Sequence, residues 1–101
     1  MTKARFTKEA RAEFLAQVAY YENIRQGLGG RFRAEVEAAA QRAAAFPLHG
    51  RLAAGGTRRR LVARFPFSLF YVEAEYGILI HAVASDRQLP EYWLDRAPRD
   101  G

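Results

Sequence analysis

Residues 55–72 read GGTRRRLVARFPFSLFYV, three consecutive arginines leading into an apolar, aromatic-rich run. Two glycines open the stretch and Pro66 divides it, so it reads as a turn followed by two strands. Strands are expected over Arg58–Arg64, Phe67–Glu73 and Ile78–Ser85, all rich in Val, Ile, Leu, Phe and Tyr and separated by Pro66 and by Glu75-Tyr76-Gly77. Connections this short make consecutive strands antiparallel. In the first strand Leu61, Ala63 and Phe65 alternate with Arg60, Val62 and Arg64, which predicts one apolar and one arginine-bearing face. The last two strands are apolar on both faces, so both faces need cover. A helical hairpin can cover one. The other would fall to the tail LPEYWLDR, with Tyr92, Trp93 and Leu94, or to a partner chain.

Upstream the period changes. Lys3–Phe6 is a possible short strand, and Thr7 stands where a helix N-cap belongs. Ala10, Phe14, Leu15, Val18 and Tyr21 recur at helical spacing and predict an amphipathic helix over Lys8–Arg25. Gly27, Gly29 and Gly30 interrupt it. A second helix is expected from about Arg31 to Ala45, with Phe32, Val36, Ala39, Ala40 and Ala43 on one face, ended by Phe46-Pro47. A loop from Leu48 to Gly56 then leads back to the arginines.

With 101 residues, half of them hydrophobic, the chain suits one folded domain over residues 1–101 and leaves no room for a second. The absence of cysteine removes disulfides and thiolate metal sites. Two histidines without a neighbouring carboxylate do not make a ligand set, so no metal and no cofactor is expected. The first thirty residues are charged throughout and hold neither a signal core nor a spanning segment, which points to a cytoplasmic protein without membrane contact.

The net charge of +5 is unevenly placed. From Ala38 to Val72 there is no Asp or Glu, whereas Arg42, Arg51, Arg58, Arg59, Arg60 and Arg64 all fall there. The rest of the chain, with ten basic and eleven acidic residues, is close to neutral. Such a region attracts phosphates or acidic protein segments. His49, in the basic loop, is better placed for acid–base work than His81, which lies inside a strand.

Taken in order, the short strand, the hairpin with Tyr20-Tyr21-Glu22 near the end of its first helix, GLGGRF (Gly27 to Phe32), Phe46-Pro47, RRRLVARFPFSLFYV and ILIHAVASDRQLPEYWLDR resemble the RelE/ParE superfamily of bacterial toxins from Phe6 to Arg96. The resemblance implies the toxin of a type II toxin–antitoxin module, also described as a plasmid stabilisation protein. It implies a partner antitoxin that wraps the toxin, with operator DNA contacted only through that antitoxin. The implied fold is α+β, a helical hairpin on a small twisted antiparallel sheet of three or four strands.

Within the superfamily, RelE-like members are ribosome-dependent endoribonucleases that cut mRNA, whereas ParE-like members inhibit DNA gyrase without cleaving anything. Cutting RNA through its 2′-hydroxyl needs a proton acceptor, a proton donor for the leaving oxygen, and positive charge on the phosphate. By resemblance to the nucleases, Arg87 and Tyr92 with Arg64 are the catalytic candidates. Arg51, Arg58, Arg59, Arg60 and His49 are candidates for binding RNA or a partner. Ser68 stands where those nucleases have an arginine, and no lysine follows Lys8. Nuclease action is the expectation here. Gyrase inhibition, or a degenerate toxin that only binds its antitoxin, are the alternatives.

Overall fold

A computed structural model describes residues 2–87 and 92–94. The chain runs β1 (Lys3–Phe6), α1 (Lys8–Ile24), α2 (Leu28–Ala45), a 3-10 turn (Pro47–His49), β2 (Arg51–Leu52), a second 3-10 turn (Ala54–Gly56), β3 (Arg58–Val62), β4 (Phe67–Ala74) and β5 (Gly77–Ser85). The strands form one sheet in the order β1-β5-β4-β3-β2, and the two helices pack on one of its faces. This is the expected α+β fold of a helical hairpin on a small sheet.

The sheet corrects the expectation in two respects: it has five strands, and it is mixed. β1 pairs with β5 in parallel, Lys3 opposite Gly77 through Phe6 opposite Ile80, while all other pairs are antiparallel. A parallel neighbour requires a long connection, and here the helical hairpin and the strand meander supply it. The fifth strand, β2, lies in the expected loop. Two residues are too few to show an alternation in sequence; the strand is created by the Ala53 N–H donating to the Thr57 carbonyl at 2.9 Å, which brings Arg51 opposite Arg59.

The Thr7 hydroxyl accepts from the Ala10 N–H at 3.1 Å and starts α1 where expected. α2, however, begins at Leu28, three residues earlier than the glycines suggested. Only Gly27 breaks the chain, in the left-handed region at φ 88°. The Glu22 carboxylate reaches over from α1 and accepts from the N–H groups of Gly27 and Gly29 at 2.9 and 3.0 Å. It thereby satisfies donors in the first turn of α2 and places negative charge at its N-terminus. Gly29 is needed for the approach itself, because a Cβ there would lie 2.5 Å from the Val18 carbonyl oxygen.

The core between helices and sheet is built from Phe14, Phe32, Val36, Leu69, Tyr71, Ile78 and Ile80 with the alanines of α2. Leu15, expected on the buried face of α1, is instead exposed. The face assignment of β3 is likewise reversed: Val62 is buried and Leu61 and Ala63 are exposed. Val62 lies opposite Phe67 and Arg60 opposite Leu69, so it is the arginine-bearing face that meets the helices. The strand ends at Val62, and Arg64 takes a positive φ of 69°, after which Phe65 folds back against Tyr21 and Phe32.

The second apolar face of β5 has a specific cause. The register of β4 against β5 slips between Phe70 and Tyr71, opposite Ala82 and Ile80, and leaves His81 as an extra residue. Alternation therefore switches there. Ile78, Ile80 and Val83 face the helices, while Ala82 and Ala84 face the other way. On that far side Trp93 is 1% exposed and packs with Ala82 and Ala84, its ring 4.5 Å from Phe70. Small alanine side chains leave the room that the indole fills. The tail does cover this face through Tyr92 and Trp93; residues 89–91 and 95–96 of the tail lie outside the described residues.

Candidate interaction surface

The arginines of the basic stretch do different work according to the face on which the strand places them. Arg58, on the helix side, donates from one guanidinium nitrogen to the carbonyls of Leu48 and Gly50 at 3.2 and 2.9 Å. Beside it the buried Tyr71 hydroxyl donates to the Pro47 carbonyl at 2.8 Å. Together they hold the 47–52 segment rigid. That segment displays exposed Leu48 and Leu52 beside exposed Phe46, with His49 stacked on Phe46 at 5.1 Å and Arg51 turned to solvent.

Burial raises the Tyr71 phenol above its ordinary value of 10, against the opposing pull of Arg60, the backbone at Gly50, and Arg58. Raising the folded-state value means that this contribution is complete below pH 10 and is lost as pH climbs through the folded-state value. Tyr71→Phe should therefore cost about 1 kcal/mol at neutral pH, from the lost hydrogen bond. It should also flatten the loss of stability above pH 10, as read from urea midpoints on both sides of that value. Parallel curves for the two proteins would contradict the assignment.

Arg59 projects to the opposite face. Its Nε donates to Ser68 Oγ at 2.9 Å, and its guanidinium lies 3.6 Å from the Asp86 carboxylate. Ser68 is thus the anchor of a neighbouring arginine. Arg64 leaves the β3–β4 turn toward α2 and pairs with Glu35 at 3.1 Å. Arg60 lies between these extremes, half-buried, in a cavity of about 280 Å³ between α2 and β3 that is also lined by Arg42, Arg64 and Glu35.

Arg87 and Tyr92 come to the far edge of the sheet, beyond β5. Glu13 on α1 organises that edge. One of its carboxylate oxygens accepts from the Val83 N–H at 3.1 Å, past the point where β1 stops covering β5, and the other accepts from the Tyr92 hydroxyl. Arg87 is exposed and lines a cleft of about 590 Å³ together with Glu13, Tyr20 and Tyr21. The Tyr21 phenol is pushed up by burial and by the neighbouring Tyr20, and Arg87 pulls it back. Of the three catalytic candidates, Arg87 and Tyr92 therefore share one edge, and Arg64 belongs to the cavity beside α2.

The sequence reading missed Glu13, Glu35 and Asp86 as participants, and counted Arg42 only as part of the basic stretch. The contacts of Glu13 span 70 and 79 residues, and no local pattern announces them.

Residues 4–90 of the 101-residue chain match the family model described as ParE toxin of type II toxin–antitoxin system, parDE. The chain belongs to this family. No curated protein matches it. As a ParE-family toxin it has an antitoxin for a partner. Among the described residues no helix is long and apolar enough to cross a membrane. In this toxin the arginine-bearing β2 and β3 lie at one edge of the sheet, and Glu13 meets β5 toward the other, past the end of β1.

Proposed function

We propose that this toxin arrests growth by binding and inhibiting DNA gyrase, as a protein ligand without catalytic chemistry, and that its antitoxin silences it, with operator DNA met only through the antitoxin. The observation that carries this reading is the pairing of groups that RNA cleavage needs with carboxylates of the toxin itself. The Tyr92 hydroxyl donates to Glu13, Arg59 faces Asp86, and Arg64 faces Glu35. A phenol whose proton is held by a carboxylate is a poor donor to a leaving oxygen, and an arginine already paired stabilises an incoming phosphate less. A surface for protein binding has no such requirement. It needs rigid display, which Arg58 and Tyr71 provide for exposed Phe46, Leu48 and Leu52.

The nuclease reading keeps one observation in its favour: Arg87 and Tyr92 meet at the same edge, around Glu13. The double variant Arg87→Ala/Tyr92→Phe separates the two. Under the inhibitor reading, cells expressing it stop growing as they do with the unaltered toxin. Loss of growth arrest in a variant that still melts cooperatively and still binds antitoxin would transfer the case to mRNA cleavage.

A further inference from the structure

Phe46, Leu48 and Leu52 are 55%, 64% and 73% exposed, three large apolar side chains within seven residues. They also lie together in space. Leu52 is paired with Arg58 across β2 and β3, which puts both side chains on one face of the sheet, and the Arg58 guanidinium reaches the Leu48 carbonyl at 3.2 Å. The two leucines therefore flank one guanidinium. Phe46 joins them through the turn in which the His49 N–H donates to the Phe46 carbonyl at 3.1 Å.

The backbone under this ridge is pinned. Arg58 also holds the Gly50 carbonyl, Tyr71 holds that of Pro47, and a Cβ at Gly50 would run into the Tyr71 hydroxyl. Apolar side chains displayed on a fixed backbone lose little freedom on binding, and this is the condition under which their burial becomes affinity. The protruding shape also selects the partner. A ridge enters a cleft in a folded protein, whereas an extended segment such as a wrapping antitoxin offers side chains of its own and needs pockets in the toxin to receive them.

Charge narrows the choice further. Arg42, one helical turn before Phe46, and Arg51, next to Leu52, are exposed and have no carboxylate partner among the described residues. No Asp or Glu occurs from Ala38 to Val72, so the same region of a second copy of this chain would meet these arginines with like charge. We propose that Phe46, Leu48 and Leu52 are the ridge by which the toxin engages gyrase, seated in an apolar cleft of that enzyme whose rim carries carboxylates facing Arg42 and Arg51. The proposal rests on the gyrase reading and names the contact surface on both partners.

The test uses the full-length toxin, purified gyrase and the antitoxin. Leu48→Ala/Leu52→Ala is expected to raise the toxin concentration that half-inhibits supercoiling about 100-fold, the effect of truncating two central apolar contacts, and to leave antitoxin affinity intact. Both leucines are exposed, so the variant should melt as cooperatively as the unaltered toxin. Leu15→Ala, an exposed leucine of α1 outside the ridge, should leave inhibition unchanged. Arg51→Ala should slow association with gyrase about tenfold at low salt, and much less at high salt. In the unaltered complex with gyrase, hydrogen exchange over residues 46–53 should slow, a readout that needs no variant. The proposal is overturned if the folded double variant inhibits gyrase at the same concentrations as the unaltered toxin, or if exchange over residues 46–53 is the same in free and gyrase-bound toxin. It is overturned in favour of an antitoxin-facing ridge if the double variant keeps inhibition and loses antitoxin affinity, and in favour of self-association if the variant keeps inhibition and converts a dimer to a monomer in sedimentation. An unaltered toxin that leaves supercoiling untouched removes the gyrase reading itself, a distinct result.

Discussion

Phe32→Ala is expected to lower the unfolding free energy by about 3–5 kcal/mol, a large part of the stability of a domain this size. Phe32 is fully buried on α2, and its ring lies 5.1 Å from each of Tyr21, Phe65 and Phe67 and 6.2 Å from Phe14. It joins α1, β4 and the β3–β4 turn. Truncation removes the buried ring and leaves a cavity that these neighbours, each fixed by its own backbone, fill only in part. Urea denaturation measures the effect. A cost below about 1 kcal/mol would mean that the aromatic cluster repacks, and that the hairpin is held to the sheet by something else.

Trp93→Ala is expected to have a similar cost, about 3–5 kcal/mol, but for a different reason. Trp93 is the cover of the far face, seated on Ala82, Ala84 and Phe70. Its loss exposes the apolar side of β5 to water and weakens the hold on a segment that the Tyr92–Glu13 contact also ties. Because Trp93 is the sole tryptophan, its fluorescence reports the cover directly in the unaltered protein. Emission should be that of a buried indole and should shift to that of a solvated one in a single step with unfolding. Emission from a solvated indole in the native state would contradict the packing, as would a Trp93→Ala variant of undiminished stability.

The elements with strong local signatures were legible in the sequence. α1 announces itself through Thr7 and the spacing of Ala10, Phe14, Val18 and Tyr21, and the three long strands through their β-branched and aromatic runs. The need for a second cover over the sheet could also be inferred, and Trp93 meets it. What escaped depends on distant residues. Gly29 resembles a breaker until Glu22 and Val18 are brought beside it. β2 exists only because Ala53 and Thr57 close a turn. The faces of β3 were reversed because the apolar alternation of Leu61, Ala63 and Phe65 runs through a turn at Arg64, where strand geometry has already ended. His81 interrupts the alternation of β5 in a way that sequence alone does not display, since Ile, Ala and Val are acceptable on either face.

At the candidate site, charge was legible and partnership was not. The acid-free stretch around Arg58 to Arg60 falls on β3, next to the edge strand β2. It did not reveal that Arg58 is turned inward to loop carbonyls, or that Arg59 and Arg64 meet Asp86 and Glu35 from remote parts of the chain. Arg42 and Arg60, separated by eighteen positions, become neighbours only when α2 crosses β3.

The measurement that bears most directly on the proposed action places the purified toxin in two reactions at once: supercoiling of relaxed plasmid by gyrase, and translation of a defined mRNA on ribosomes followed by mapping of 5′ ends. Inhibition of gyrase predicts that supercoiling falls with toxin concentration, recovers on addition of antitoxin, and leaves the mRNA intact. New 5′ ends on ribosome-bound mRNA at toxin concentrations that leave supercoiling untouched would contradict it, and would return Arg87 and Tyr92 to a catalytic role.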